Sequence, residues 1–268
     1  MELYKIDSPS GREHEMSVFI TDFLATNSIR FRTDECGNIY ATKGDAEHYP
    51  CVVAHMDEVH QRKPKGYRPI NFKGEVIFGY DIYRKKFVGT GADDKNGIWI
   101  CLKLLKSEPV LKCVFFVQEE VGRIGSGRCH MSFFDDCRYV LQCDRRGDDD
   151  FITRIEGTEL CSQEFIEDAL EKSYGYGTTD GLVTDVYTLK RRGLNVSCAN
   201  ISCGYYNPHT DDEFTRISDL RKCLKFVRNI IANCNTLYPH TFTWHDRFQH
   251  YGRRTYNYYE DFERYPPF

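Results

Sequence analysis

Phe115-Phe116-Val117-Gln118-Glu119-Glu120-Val121-Gly122 closes an apolar run that begins near Leu111 and ends at Val117. The run has β character, and Val121-Gly122 turns the chain directly after two adjacent carboxylates. In an α/β protein the carboxyl end of a strand is where chemistry collects. Neighbouring side chains on extended backbone point to opposite faces. One glutamate can therefore hold a metal while the other faces substrate as a general base. A solvated turn after a buried strand is the plain alternative, so partners elsewhere in the chain must decide.

Working outward, strand, helix and strand succeed one another on both sides of this run. Cys51-Val52-Val53-Ala54 reads as a short buried strand ending in His55-Met56-Asp57. Ile98, Cys101, Leu102 and Leu105 give a helix its apolar face after Asp93-Asp94, and Tyr139 to Cys143 is another buried strand with Asp144 at its end. Val196 to Ser202 is a further strand, and Leu220, Cys223, Leu224, Val227, Ile230 and Ile231 line a last helix starting near Ser218. The order predicts an α/β three-layer sandwich, with a central mixed, largely parallel sheet covered by helices on both faces.

Ser10 and Glu13 have capping-box spacing ahead of Met16, Phe19, Ile20, Phe23 and Leu24. Ile29 to Thr33 and Asn38 to Thr42 read as a hairpin, and residues 60 to 88 as a loop or β-ribbon near the site. Phe151 to Ile155 reads as a strand, and Ser162 to Lys172 and Gly181 to Arg191 as helices.

With 268 residues and no internal repeat or linker, one domain over residues 1–240 is expected, followed by an aromatic-rich tail, 241–268. The tail is too rich in Tyr and Phe for a disordered end and is expected to pack on the body or on a neighbouring subunit. His240, His245 and His250, at the boundary and within the tail, are expected at the surface. A formal net charge of -4 gives no electrostatic reason to expect nucleic acid or an anionic membrane as partner. No apolar run approaches the roughly 20 residues that span a bilayer, and the first residues carry no signal pattern. Twelve cysteines without a C-x-x-C pair read as reduced core residues of a cytoplasmic protein.

His55 and Asp57 share one face of extended backbone. The histidine can bind a metal while the aspartate steadies it. Asp93-Asp94, Asp144 and His209 are each unremarkable alone, since a carboxylate before a helix is an ordinary cap. Together, at strand ends or in the following loops, they would converge on one edge of the sheet. Two histidines with carboxylates and no cysteine suit a catalytic metal pair rather than a closed structural site. Such pairs lie about 3.5 to 4 Å apart.

The ordered set resembles the co-catalytic zinc exopeptidases, which include peptidase T and the tetrahedral and bacterial leucine aminopeptidases. The matching pieces are Ser10 to Glu13, Gly37-Asn38, His55-x-Asp57, Gly91 to Gly97, Gln118 to Gly122, Asp144, Thr179 to Gly181 and His209. The resemblance implies two Zn2+, with Co2+ or Mn2+ as substitutes. His55 and Asp144 would hold one ion, Glu120 and His209 the other, and Asp93 would bridge them. It implies Glu119 as the general base, Asp57 as the residue steadying His55, and Asp180 near the site. The intervals that carry a second domain in many relatives are short here, so the chain is similar to the compact members.

The expected activity is removal of N-terminal residues from small peptides by an aminopeptidase or tripeptidase, acting alone or as a homo-oligomer. Hydrolysis of an N-acyl or other amide, and a non-catalytic binding role on the same fold, are the alternatives.

Overall fold

The structure is a computed structural model that describes residues 1–60 and 62–242. The reading of the aromatic tail therefore lies, from residue 243 on, outside the described residues. A 3-10 turn at Leu3–Lys5 leads to α1 (His14–Thr26), then the hairpin β1 (Arg30–Thr33) and β2 (Ile39–Lys43), and β3 (Tyr49–His55). A ribbon follows, β4 (Tyr67–Phe72), β5 (Val76–Asp81) and β6 (Lys86–Val88), then α2 (Ala92–Ser107), β7 (Leu111–Phe116) and α3 (Ile124–Arg128). Next come β8 (Cys137–Arg145), β9 (Asp150–Ile155), β10 (Thr158–Glu159), α4 (Gln163–Leu170), β11 (Gly177–Gly181) and α5 (Asp185–Arg191). The described chain ends with β12 (Cys198–Ser202), β13 (Tyr205–Tyr206), β14 (Phe214–Arg216) and α6 (Ile217–Asn233).

The main sheet runs β1-β2-β7-β3-β8-β12-β9-β10, with β11 on β9. Its four middle strands, β7, β3, β8 and β12, are parallel, and antiparallel pairs flank them. The parallel strands need both faces covered, which is why β3 and β7 are buried at every residue rather than alternately. Helix α2 packs on β3, β7 and β8 and carries α6 behind it, while α5 packs on β8 and β12 with α3 beside it. One cluster of buried apolar side chains runs from Leu3 to Tyr238. The mixed sheet with flanking helices is the predicted architecture.

The parallel arrangement sends the carboxyl ends of β3, β7 and β8 to one edge. Beside that edge stands a second sheet, β13-β14-β5-β4 with β6 on β5. It is built largely from the basic, aromatic stretch expected to form a ribbon near the site.

Two local expectations fail. Helix α1 begins at His14 with Glu13 before it and no side-chain cap, so Ser10 and Glu13 do not form a capping box. Both side chains are engaged at the strand-end cluster described below. Residues Gly177–Gly181 form β11, parallel to β9, and the helix there begins only at Asp185. The expected helix from Gly181 to Arg191 therefore starts four residues late, because Gly181 is taken into the strand.

Candidate metal centre

The end of β7 is held by side chains where ladder hydrogen bonds stop. Val117 N donates to Asn38 Oδ1 at 3.1 Å and Gln118 N to Glu13 Oε1 at 3.1 Å. Glu119 N and Glu120 N donate to the two oxygens of Asp57 at 2.8 and 3.1 Å. Four successive donors are thereby satisfied by four side-chain oxygens, and the backbone that carries both glutamates is fixed. Ser10 Oγ donates to Asp57 Oδ2 at 2.7 Å. The Ser10-to-Glu13 and Gly37-Asn38 motifs thus brace the strand end.

His55 is buried, with Nδ1 3.0 Å from the Asp57 carbonyl oxygen and 3.4 Å from its Oδ1. Its Nε2 points the other way, 3.1 Å from Asp93 Oδ1 and 3.7 Å from Asp144 Oδ1. His209 brings Nε2 to 3.2 Å from the second Asp93 oxygen and 3.2 Å from Glu120 Oε1. One carboxylate, Asp93, therefore lies between two imidazoles. His209 adopts φ 65°, a left-handed conformation uncommon for a residue with a Cβ.

The five residues read as ligands thus meet at one edge of the sheet. Asp180 does not join them: it is exposed and its carboxylate pairs with Arg154 at 2.7 and 3.0 Å. Asp94 is also drawn in, since ligand atoms of His55, Asp94 and Asp144 lie within 4.8 Å of one another, as do those of His55, Asp93 and Glu120. Asp94 is nonetheless occupied with backbone, accepting from His55 N at 3.1 Å and Gly97 N at 2.9 Å. A Cβ on Gly97 would fall 2.3 Å from that carboxylate, so only glycine fits there.

Burial opposes charge throughout the cluster, and the responses differ. Burial, followed by repulsion from neighbouring carboxylates, lifts Asp94 and Asp144 well above the usual carboxylate range. Burial and Asp185 lift Glu119 likewise, against the opposing pull of His55. Asp93 is also desolvated, but hydrogen bonds from His209 and His55 hold it well below that range. Hydrogen bonds to Asp93 and Glu120 raise His209 to about 10. Burial works against a charged His55, and Asp144, Asp57 and Asp93 outweigh it.

This is the electrostatics of a site short of positive charge, and its donors fit divalent cations of the zinc type. Glu120 Oε1 is buried, with His209 Nε2 beside it at 3.2 Å.

Several supporting residues were missed by the sequence reading. Gln142 Nε2 donates to Asp144 Oδ2 at 3.1 Å and to Asp185 Oδ2 at 3.3 Å, while its Oε1 accepts from Thr184 Oγ1 and from Val186 N. Asp185 is fully buried, and burial pushes its pKa up to about 6. Glu213 accepts from Gly91 N, Thr90 Oγ1 and Asp93 N at 2.6, 3.0 and 3.1 Å, anchoring the loop that presents Asp93. Behind that loop, Glu58 accepts from Lys63 at 2.6 Å and Lys95 at 3.0 Å, with all three side chains no more than 5% exposed. Gly91, at φ 66°, has Glu58 Oε2 1.9 Å from where a Cβ would sit. Glutamine or glutamate at such positions has no spacing signature that could have marked it.

No protein-family model matches the chain. A curated relative from Pyrococcus abyssi, named for hydrolysis of LysW-linked lysine and ornithine, is 30% identical over 78 residues. That stretch is 29% of this chain and 22% of the relative, so the match spans under a quarter of the relative's length. The crystal structure of aminopeptidase PepT from Bacillus cereus superposes with a TM-score of 0.73 at 15% identity, covering 87% of this chain and 96% of that one. A tripeptidase from Staphylococcus aureus gives 0.69 at 16% identity, with the same coverages of 87% and 96%. The chain has the fold of these two peptidases.

Proposed function

We propose that the protein is a di-zinc exopeptidase that removes N-terminal residues from small peptides, with residues 1–240 acting as one catalytic unit. The observation that carries this reading is the Asp93 carboxylate lying between His55 and His209, with Glu119 and Glu120 on the adjoining strand end. His55 and Asp144 would hold one cation, Glu120 and His209 the other, and Asp93 would bridge them. Two bound divalent cations would supply Lewis acidity, polarising the scissile carbonyl and acidifying a water.

The chain's own groups do the rest. Glu119, whose backbone Asp57 fixes, accepts a proton from the attacking water and returns it to the departing amine. Asp57 keeps the His55 ring oriented so that Nε2 faces Asp93. The surplus of carboxylates favours a cationic group, which suits a substrate with a free amino terminus.

All twelve cysteines are free, eleven of them buried, which supports a reducing, cytoplasmic setting. No described helix is long and apolar enough to cross a membrane. Exposed Phe72, Tyr83 and Phe87 on the ribbon support self-association of the chain.

The test is metal content together with hydrolysis of matched substrates bearing a free or an N-acetylated terminus. The reading expects two bound cations and cleavage of the free-amine form. Cleavage of the acetylated form alone would make the enzyme an amide deacylase, and turnover unaffected by removing bound metal would end the metallopeptidase reading.

A further inference from the structure

The His209 side chain is half exposed and also lines a groove of about 490 Å³, whose other walls include His60 and Arg62 on one side and the β5–β6 segment on the other. The size is that of a small-ligand pocket. Its charge is opposite to that of the cluster next to it: Arg62, Arg84 and Lys86 line it against one carboxylate, Asp211. Val59, Pro64 and Val88 add apolar wall.

The cations there are not spent. Arg62 and Arg84 stand 3.8 and 3.7 Å from Asp7 and Asp81, beyond hydrogen-bond reach, and their side chains are 84% and 68% exposed. Asp7 and Asp81 are themselves engaged by backbone, Asp7 by Lys63 N and Asp81 by Tyr83 N and Arg84 N. Lys86 pairs with Asp211 at 3.2 Å, with both side chains more than half exposed. Each guanidinium keeps forked donors that suit a carboxylate.

A positive groove that shares His209 with a carboxylate-rich centre sets up a dipole across the site. We infer that the groove defined by Arg62, Arg84 and Lys86 is a specificity subsite for a substrate carboxylate, whether an acidic side chain or the carboxyl terminus of a short peptide. The inference deepens the peptidase reading and rests on it.

The experiment uses two substrate pairs with the metal-loaded protein. One is Ala-Ala-Ala against its C-terminal amide, the other Glu-Ala amide against Gln-Ala amide. In at least one pair the anionic member is expected to have a kcat/KM higher by about tenfold, the scale of one charge-assisted hydrogen bond. The pair that shows it identifies which carboxylate binds. That ratio should fall toward one in the Arg84→Gln/Lys86→Gln double variant and recover partly in Arg84→Lys/Lys86→Arg.

Hydrolysis of both pairs with no preference for charge, or a preference that the double variant keeps, overturns the subsite and leaves the peptidase reading standing. If no peptide is cleaved, the peptidase reading fails, and calorimetric binding of the same pairs decides the subsite. Tighter binding of the anionic member, lost in the double variant, supports it; equal binding or none overturns it.

Discussion

The Asp57 carboxylate accepts the backbone N–H of Glu119 at 2.8 Å, so the residue that orients His55 also sets the position of the proposed base. Its other oxygen accepts from Glu120 N and Ser10 Oγ. Few single residues touch as many parts of the site.

Asp57→Asn is expected to lose more than a charge. An amide offers one acceptor where three donors and an imidazole converge, so its NH2 must face a backbone N–H. Metal affinity should fall about 10- to 100-fold, as for partners of metal-bound histidines elsewhere, and kcat should drop with it. Calorimetric metal titration and steady-state kinetics check this, and unchanged values for both would remove Asp57 from its assigned role.

Glu119→Gln separates binding from chemistry. The variant should keep both cations, because Glu119 is not among the assigned ligands, while kcat falls by about 10² to 10⁴ with loss of the base. Metal analysis beside single-turnover kinetics gives the answer. Full activity in this variant would sink the mechanism.

Metal uptake should release protons. In the metal-free protein His209 is raised to about 10, and Asp94, Asp144 and Glu119 are all raised, so protons are held that a cation must displace. A raised pKa means that the metal-competent, deprotonated form gains as pH rises. Affinity should therefore increase with pH, by about tenfold per unit for each proton displaced. Calorimetry in buffers of different ionisation enthalpy counts those protons, and a value of zero would contradict the electrostatics described.

Gln142→Ala tests the support under Asp144. It removes the donor that joins Asp144 to buried Asp185 and the acceptor for Val186 N. Metal affinity is expected to weaken about tenfold or more, with a smaller effect for Gln142→Glu at the Val186 contact than at Asp144, where like charges would meet. Calorimetric titration with each cation distinguishes this from simple unfolding, which circular dichroism would show.

Glu58→Gln should act on stability rather than on substrate. Lys95 and Lys63 would lose their shared counter-charge while buried, a change that costs about 3 to 5 kcal/mol in comparable buried pairs. Burial already depresses Lys95 to about 7, against the pull of Glu58, so the loss should be partly relieved by deprotonation as pH rises above neutrality. Urea unfolding at two pH values measures both effects.

Much of this was legible in the sequence because it rests on periodicity and on strand ends. β3, β7 and β8 announce themselves as continuous apolar runs, and each places its polar cluster at its carboxyl end. Asp93, proposed as the bridge, faces both imidazoles, whereas Asp94 serves backbone donors. What stayed hidden depends on contacts between distant segments. Gln142 looks like any polar residue in a strand, and Asp185 like an ordinary helix-start acid, until α5 is packed on β8. Ser10 and Glu13 misled because capping spacing is local, whereas their actual partners, Asp57 and Gln118, lie far along the chain. Asp180 misled in the opposite sense, its motif match being satisfied by Arg154 on β9.

The assigned ligands span residues 55 to 209, and the last of them lies on the loop between β13 and β14, with β14 paired to β5. A nascent chain that has completed only its first half owns most of the anions and none of the closure. The closing hairpin thus stitches the proposed centre shut, and truncation before β13 would take His209 out of the assigned set.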